Sequence, residues 1–263
     1  MQPLLDADVL VYEVGYAAEA GWQQAGFPPF DYVANLLDER IKNICALVNA
    51  TQSPILYLTG TGNFRFDIAK RQPYKTRPSL KPWHYKNIKA YMRNQYDTIT
   101  SEGMEADDLM AIEQTRRGTE TIICSRDKDL RQVGGWIYSW ELGKQPSFGP
   151  MLVNSLGSLH LSEDGKKLSG TGQSFFYAQC LMGDMVDSVP GLPKIGATKA
   201  FKILSGVTTL PALYQVVLEA YRGVYEDNAE VELLEQGRLL WMTRELHPDG
   251  KPVLWELPNE VHI

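Results

Sequence analysis

Residues 182–200 read MGDMVDSVPGLPKIGATKA. The first half sets Asp184 and Asp187 three residues apart, close enough to share one metal-binding edge. The second half is a turn punctuated by Gly191 and Gly196 that opens a helix expected over 197–204. N–H groups at the start of such a helix face outward, where a phosphate can accept them, and Lys194 and Lys199 add charge there. Taken alone, residues 191–196 also fit a plain connection between two helices.

At 263 residues, 44% of them hydrophobic and 22% charged, the chain can bury a sizeable core as one large domain or two joined ones. No apolar run is long enough to span a bilayer, so no membrane partner is expected. The N-terminus lacks the basic segment and cleavage site of a secretory leader. Cys45, Cys124 and Cys180 form neither a disulfide framework nor zinc-ligand spacing. A cytoplasmic protein is expected, in a bacterial cell or in the host of a phage.

The formal net charge of −6 argues against nucleic acid until its distribution is considered. Between 65 and 93 stand nine basic residues, Arg65, Lys70, Arg71, Lys75, Arg77, Lys81, Lys86, Lys89 and Arg93, against the single acid Asp67. Arg offers phosphate a planar fork and Lys a point charge. Tyr74, Trp83, Tyr85 and Tyr91 interleave faces on which unpaired bases can stack. Individually, Lys81, Lys86, Lys89 and Arg93 read as charges on a solvated helix.

Residues 4–12 read as a buried strand interrupted by Asp6 and Asp8, and open α/β sheets place their sites at the carboxyl ends of strands. Asp6 is the stronger metal-ligand candidate and Asp8 a supporting group, although a solvated strand end also fits this segment. Apolar spacing predicts a helix over 30–50, then a parallel strand at 55–58 followed by a flexible 59–62. A strand at 96–100 leads to Glu105, Asp107 and Asp108, which crowd the first turn of a helix running to Arg117. Acids there complement the helix dipole, but three of them repel unless a cation intervenes. The strand at 120–125 is followed by Asp127 and Asp129; Asp127 alone also fits an Asx turn.

Extended pieces at 136–142, 151–154 and 158–162 predict a small antiparallel addition to the far edge of the sheet. Ser174 is placed to cap a helix at 175–181, and further helices are expected at 210–225 and 231–244. The expected fold is therefore α/β, a mostly parallel central sheet flanked by helices over 1–168, with a helical region over 169–263. Eight carboxylates, Asp6, Glu105, Asp107, Asp108, Asp127, Asp129, Asp184 and Asp187, offer the hard oxygens that suit Mg²⁺ or Mn²⁺. Two such ions roughly 4 Å apart can activate water and stabilise the leaving oxygen of a phosphodiester.

Together with EADDLMA at 105–111, SRDKDLRQ at 125–132, the Phe-Arg pair at 64–65 and YKTR at 74–77, the opening stretch resembles the 5′-nuclease family of flap endonucleases and 5′–3′ exonucleases, in a stand-alone phage-type or bacterial form. The resemblance runs from Asp6 to Arg244. It implies a PIN-like nuclease core, a basic arch or gateway over 64–95, and a helix–three-turn–helix DNA-binding element. Arg65, Lys75 and Arg77 would then contact the scissile phosphate or the threaded 5′ end. Asp6, Glu105 and Asp107 would surround one ion and Asp127, Asp129 and Asp184 the other, with Asp108 and Asp187 nearby or acting through water.

Gly191, Lys194, Ile195, Gly196, Thr198 and Lys199 would hold the duplex backbone, with K⁺ a further candidate at that turn. The implied substrate is DNA with a free 5′ end or 5′ flap, with RNA:DNA hybrids as an extension, in replication and repair. Two departures stand out. The YKTR element is one residue shorter than the family's, and the acid usual after the second strand is missing near Gly60. Two other functions stay open at this point: a ribonuclease on the same acidic core, and a DNA-binding module that does not cleave.

Overall fold

The structure is a computed structural model, and it describes residues 1–76 and 79–258. Two compact units are present, and neither is contiguous in sequence. The first comprises Met1–Gly62, Pro78–Leu130 and Gly135–Leu152; the second comprises Asn63–Arg77, Arg131–Gly134 and Val153–Ile263. The expected division at 168 is not where these units part, and the basic stretch over 64–95 is shared between them.

The first unit is built on a six-stranded sheet of β1 (Gln2–Asp6), β2 (Ile55–Thr61), β3 (Asp97–Glu102), β4 (Thr121–Cys124), β5 (Gly135–Ser139) and β6 (Phe148–Val153). Their spatial order is β3-β2-β1-β4-β5-β6, with β1 parallel to both β2 and β4, β2 to β3 and β4 to β5. The mostly parallel α/β sheet is thus as the sequence leads one to expect. The piece at 136–142 departs from expectation, because β5 joins the main sheet in parallel.

Leu4 and Leu5 are fully buried in β1, which stops at Asp6. The sequence reads as strand to Tyr12, but Asp6 instead caps α1 (Ala7–Gly21), its carboxylate accepting the Val9 N–H. Leu10, Val11, Val14 and Ala18 then fall on one buried face, and that burial outweighs the small helix cost of the valines. In α2 (Phe30–Leu47) the buried Val33, Leu37, Ile41 and Ile44 recur at helical steps. Residues 59–61, expected to be flexible, continue β2 with a shifted register opposite β3.

Also in this unit, α4 (Tyr85–Gln95) precedes β3 and α5 (Ala106–Arg117) follows it, α3 (Arg65–Ile68) belonging to the second unit. Leu5, Leu10, Val33, Leu37, Ile44, Leu56, Ile88 and Ile122 share one core. The chain leaves β1 towards β2 and later returns past it to β4. Connections therefore depart in opposite directions from the neighbours β1 and β4, which in open parallel sheets opens a crevice at their carboxyl ends.

The second unit holds α3, the antiparallel pair β7 (Ser158–Leu161) and β8 (Leu168–Thr171), then α6 (Gly172–Met182), α7 (Ala197–Leu204), α8 (Leu210–Tyr225) and α9 (Ala229–Leu240). The piece at 158–162 is therefore not an addition to the large sheet. Ser174 lies inside α6 and does not cap it. The Thr209 hydroxyl caps α8 by accepting the Ala212 N–H at 3.4 Å. Phe176, Leu181, Leu213, Val217, Tyr221 and Leu233 form the core. Among the described residues no helix is long and apolar enough to cross a membrane.

Candidate metal centre and nucleic-acid interface

Adjacent strands deliver Asp6 and Ser125 to the same edge of the first unit, since Leu5 and Cys124 are paired partners in β1 and β4. The Ser125 hydroxyl donates to Asp6 Oδ2 at 2.6 Å and accepts the Asp127 N–H at 2.9 Å. Asp127 Oδ1 in turn accepts the Asp129 N–H at 2.8 Å, and Lys128 Nζ lies 3.2 Å from Asp129 Oδ1. Asp6, Asp127 and Asp129 are therefore linked one after another through one hydroxyl and two backbone amides. Burial pushes the Asp6 carboxyl up to about 6, the Asp8 charge adding to it and the Ser125 and Val9 hydrogen bonds pulling it back. Burial and then the Asp129 charge push Asp127 up to about 8.

The helix α5 starts at the same edge, just after β3. Glu105 and Asp108 form a reciprocal capping box, with Asp108 Oδ2 accepting the Glu105 N–H at 3.2 Å, and the Thr59 hydroxyl accepts the Ala106 N–H at 3.0 Å. Asp108 is fully buried in this role, whereas Glu105 and Asp107 are half-buried.

Asp8 Oδ2 accepts the Thr59 N–H at 2.7 Å, and Lys89 Nζ lies 3.3 Å from Asp8 Oδ1 while donating to the Thr59 carbonyl at 3.0 Å. Lys89 is thus not a solvated helix charge. A side chain at Gly60 would collide with the Ser101 carbonyl oxygen, so that position cannot carry the acid usual in the family. Asp8, in the first turn of α1, brings a carboxylate to the end of β2 instead. Sequence reasoning does not single out Ser125, Thr59 or Lys89 as site-building residues, because each is joined to Asp6 or Asp8 from a distant segment that no local pattern marks.

In the second unit, Asp184 and Val189 exchange both backbone hydrogen bonds at 2.8 Å and close a tight loop. Asp184 Oδ1 accepts the Val186 N–H at 2.8 Å. Asp187 Oδ2 accepts the Tyr74 hydroxyl at 3.2 Å, its carbonyl accepts the Lys75 N–H at 3.2 Å, and Lys75 Nζ lies 3.7 Å from Oδ1. Tyr74 and Lys75 therefore bind the second acid of the loop. Gly183 and Gly191, both at positive φ, press backbone against backbone with no room for a Cβ.

Several sequence expectations change. Arg65 is fully buried, with Nε donating to the Leu239 carbonyl at 3.0 Å and the guanidinium to the Trp241 carbonyl at 2.7 Å, so it caps α9 and is not presented to a phosphate. That capping also ends α9 at Leu240, short of the expected 244. Gly191 is buried and its N–H goes to Gln236 Oε1 at 2.6 Å, so it shapes the turn without offering a donor. Ile195 is half-buried against the core. Thr198 spends its hydroxyl on the Gly165 carbonyl at 2.9 Å. Lys194, Gly196, Thr198 and Lys199 are exposed around the start of α7. Arg77 lies outside the described residues.

Among the described residues, no three His, Cys, Asp or Glu side chains stand together as a ready metal-holding group. The donor chemistry nevertheless fits a hard divalent cation. Asp6 and Asp127 are carboxylates whose ionised forms are opposed by burial and by neighbouring acids, a conflict that a cation relieves.

No family model matches the chain. It is 26% identical over 180 residues to a 5′–3′ exonuclease of Buchnera aphidicola subsp. Schizaphis graminum, an alignment covering 63% of this chain and 56% of that protein. It is 30% identical over 135 residues to the flap endonuclease Xni of Shewanella halifaxensis, covering 49% of each. The chain thus spans about half the length of these curated relatives. In structure it is similar to the bacteriophage T5 D15 flap endonuclease in a complex with DNA and metal ions, at a TM-score of 0.55 and 13% identity over 91% of this chain and 98% of the other. A T5 5′-exonuclease with bound zinc gives a TM-score of 0.54 at 15% identity, over 90% and 99%. By sequence the chain is a relative of 5′–3′ exonucleases and flap endonucleases, and by fold it matches the T5 enzyme, which places it beside the 5′-nucleases.

Proposed function

We propose that this chain hydrolyses phosphodiester bonds at the 5′ ends of DNA, as a 5′–3′ exonuclease and structure-selective flap endonuclease that depends on divalent metal. The observation that carries the reading is the Asp6–Ser125–Asp127 linkage at the carboxyl edge of β1 and β4, the neighbours between which open parallel sheets carry their sites. Asp6, Glu105, Asp107, Asp127 and Asp129 of the first unit are the oxygens that would hold Mg²⁺ or Mn²⁺ there, and Asp184 and Asp187 are the candidate ligands of the second unit. Such ions supply a nucleophilic water and stabilise the leaving oxygen.

The chain's own residues do the rest. Ser125 spaces Asp6 from Asp127, Asp108 fixes the start of α5, and Lys75 stands beside Asp187 as a point charge for a phosphate. The exposed Lys194 and Lys199, with the N–H groups opening α7, are suited to a duplex backbone, and the turn before them is the place for K⁺. Recognition through backbone phosphates is compatible with RNA:DNA hybrids as well as DNA.

The test is cleavage of a 5′-labelled flap duplex in Mg²⁺, beside the same assay in chelator and with Asp127→Asn. Metal-dependent cleavage near the junction, lost in the variant, is expected. Salt-sensitive binding without cleavage in either Mg²⁺ or Mn²⁺ would overturn it in favour of a binding module, the reading that the missing acid near Gly60 favours.

A further inference from the structure

Phe27 and Trp83 lie face to face in the first unit, their ring centroids 4.0 Å apart and their planes within 4°. Although stacked, the rings remain 54% and 63% exposed, so each has covered one face and left the remainder to solvent. Rings serving the core would be buried, and these are not.

The segment that carries Trp83 is nevertheless fixed. The Trp83 N–H donates to Glu19 Oε1 at 2.6 Å, the Tyr16 hydroxyl to the Leu80 carbonyl at 2.7 Å, and His84 Nε2 to the Pro28 carbonyl at 2.8 Å. Pro82 sits so close to Gly15 that a Cβ there would collide with it. Both the loop of Phe27 and the turn of Trp83 are thereby tied down, which removes much of the ordering cost of a stacking ligand.

The surroundings decide what that ligand is. Lys81 and Lys86 are exposed on either side of Trp83, and the sequence contains no acid between Asp67 and Asp97. The Glu19 carboxylate at the Trp83 turn is taken up by the Trp83 backbone N–H. An exposed aromatic stack carried on a basic, acid-free stretch fits an unpaired base with its flanking phosphates.

We propose that Phe27 and Trp83 form a stacking platform for the unpaired bases of single-stranded DNA. In the context of the nuclease reading, on which the identity of the strand rests, that strand is the displaced 5′ flap.

Binding in chelator tests this without cleavage, using fluorescence anisotropy with a labelled oligothymidine 5′-flap duplex and the matching blunt duplex. Trp83→Ala is expected to weaken flap binding by about 5-fold or more, the low end of one base–aromatic stack, while leaving blunt-duplex binding unchanged. Trp83→Phe retains most of the affinity. Trp83→Leu keeps apolar cover but loses the ring, so it weakens flap binding as the alanine variant does, and its melting temperature shows whether the fold survives. Equal loss on both duplexes, or full flap affinity in a folded Trp83→Leu protein, overturns the platform. Wild-type protein that fails to cleave in Mg²⁺ while still showing the Trp83-dependent flap preference removes the nuclease reading alone. Cleavage by wild type with no Trp83 effect on flap binding removes the platform alone.

Discussion

Lys89 shows how one residue can be misread from sequence and then become informative. On a basic helix it looks solvated, yet only 12% of its side chain is exposed and its ammonium is shared between Asp8 and the Thr59 carbonyl. The cost of Lys89→Met should therefore fall between that of an exposed pair and that of a fully buried one, about 1–3 kcal/mol. Urea unfolding in chelator measures it. Adding Asp8→Asn should cost less than the sum of the two single changes, because the second removes a charge already left alone. A purely additive result would mean that the pair is not coupled. Asp6 was legible because an acid ending an apolar run is conspicuous. The partnership of Asp8 with Lys89 spans a long stretch of sequence, and no local pattern records it. The missing acid at Gly60 was legible as an absence, but the Ser101 carbonyl that forbids it was not.

Among the elements, α7 and α8 follow their expected bounds because local signals mark them: Gly196 before the first, and Thr209 with Pro211 at the start of the second. The start of α1 is hidden because Val9 and Val11 favour strands, and burial against distant residues overrides that preference. The extended piece at β5 is legible but its pairing is not, since a parallel match with β4 depends on residues the local pattern does not name. The end of α9 is set by a distant side chain. Replacing Arg65 by Met leaves the Leu239 and Trp241 carbonyls without the guanidinium and should cost about 2–4 kcal/mol. Amide hydrogen exchange should accelerate at the last turn of α9 before it does in α8. Arg65→Lys should recover little, since an ammonium cannot form the same fork. Unchanged exchange there would show that water or another donor caps the helix as well.

At the scale of the whole molecule, a net charge of −6 coexists with cations gathered where DNA is proposed to lie. Affinity for duplex should fall steeply with salt, and removing both Lys194 and Lys199 should lower the slope of log affinity against log salt by about 2. Arg65 variants that remain folded should leave that slope alone, which separates a phosphate contact from a structural one. A slope indifferent to both lysines would place the duplex elsewhere. The interleaving of the two units also governs the order in which the protein can be completed. Arg65 and Gln132, which bond the last carbonyls of α9, leave the ribosome long before the helix that needs them. The nascent chain must therefore hold early segments in waiting, and Arg65 and Gln132 find their partners only after α9 has been made.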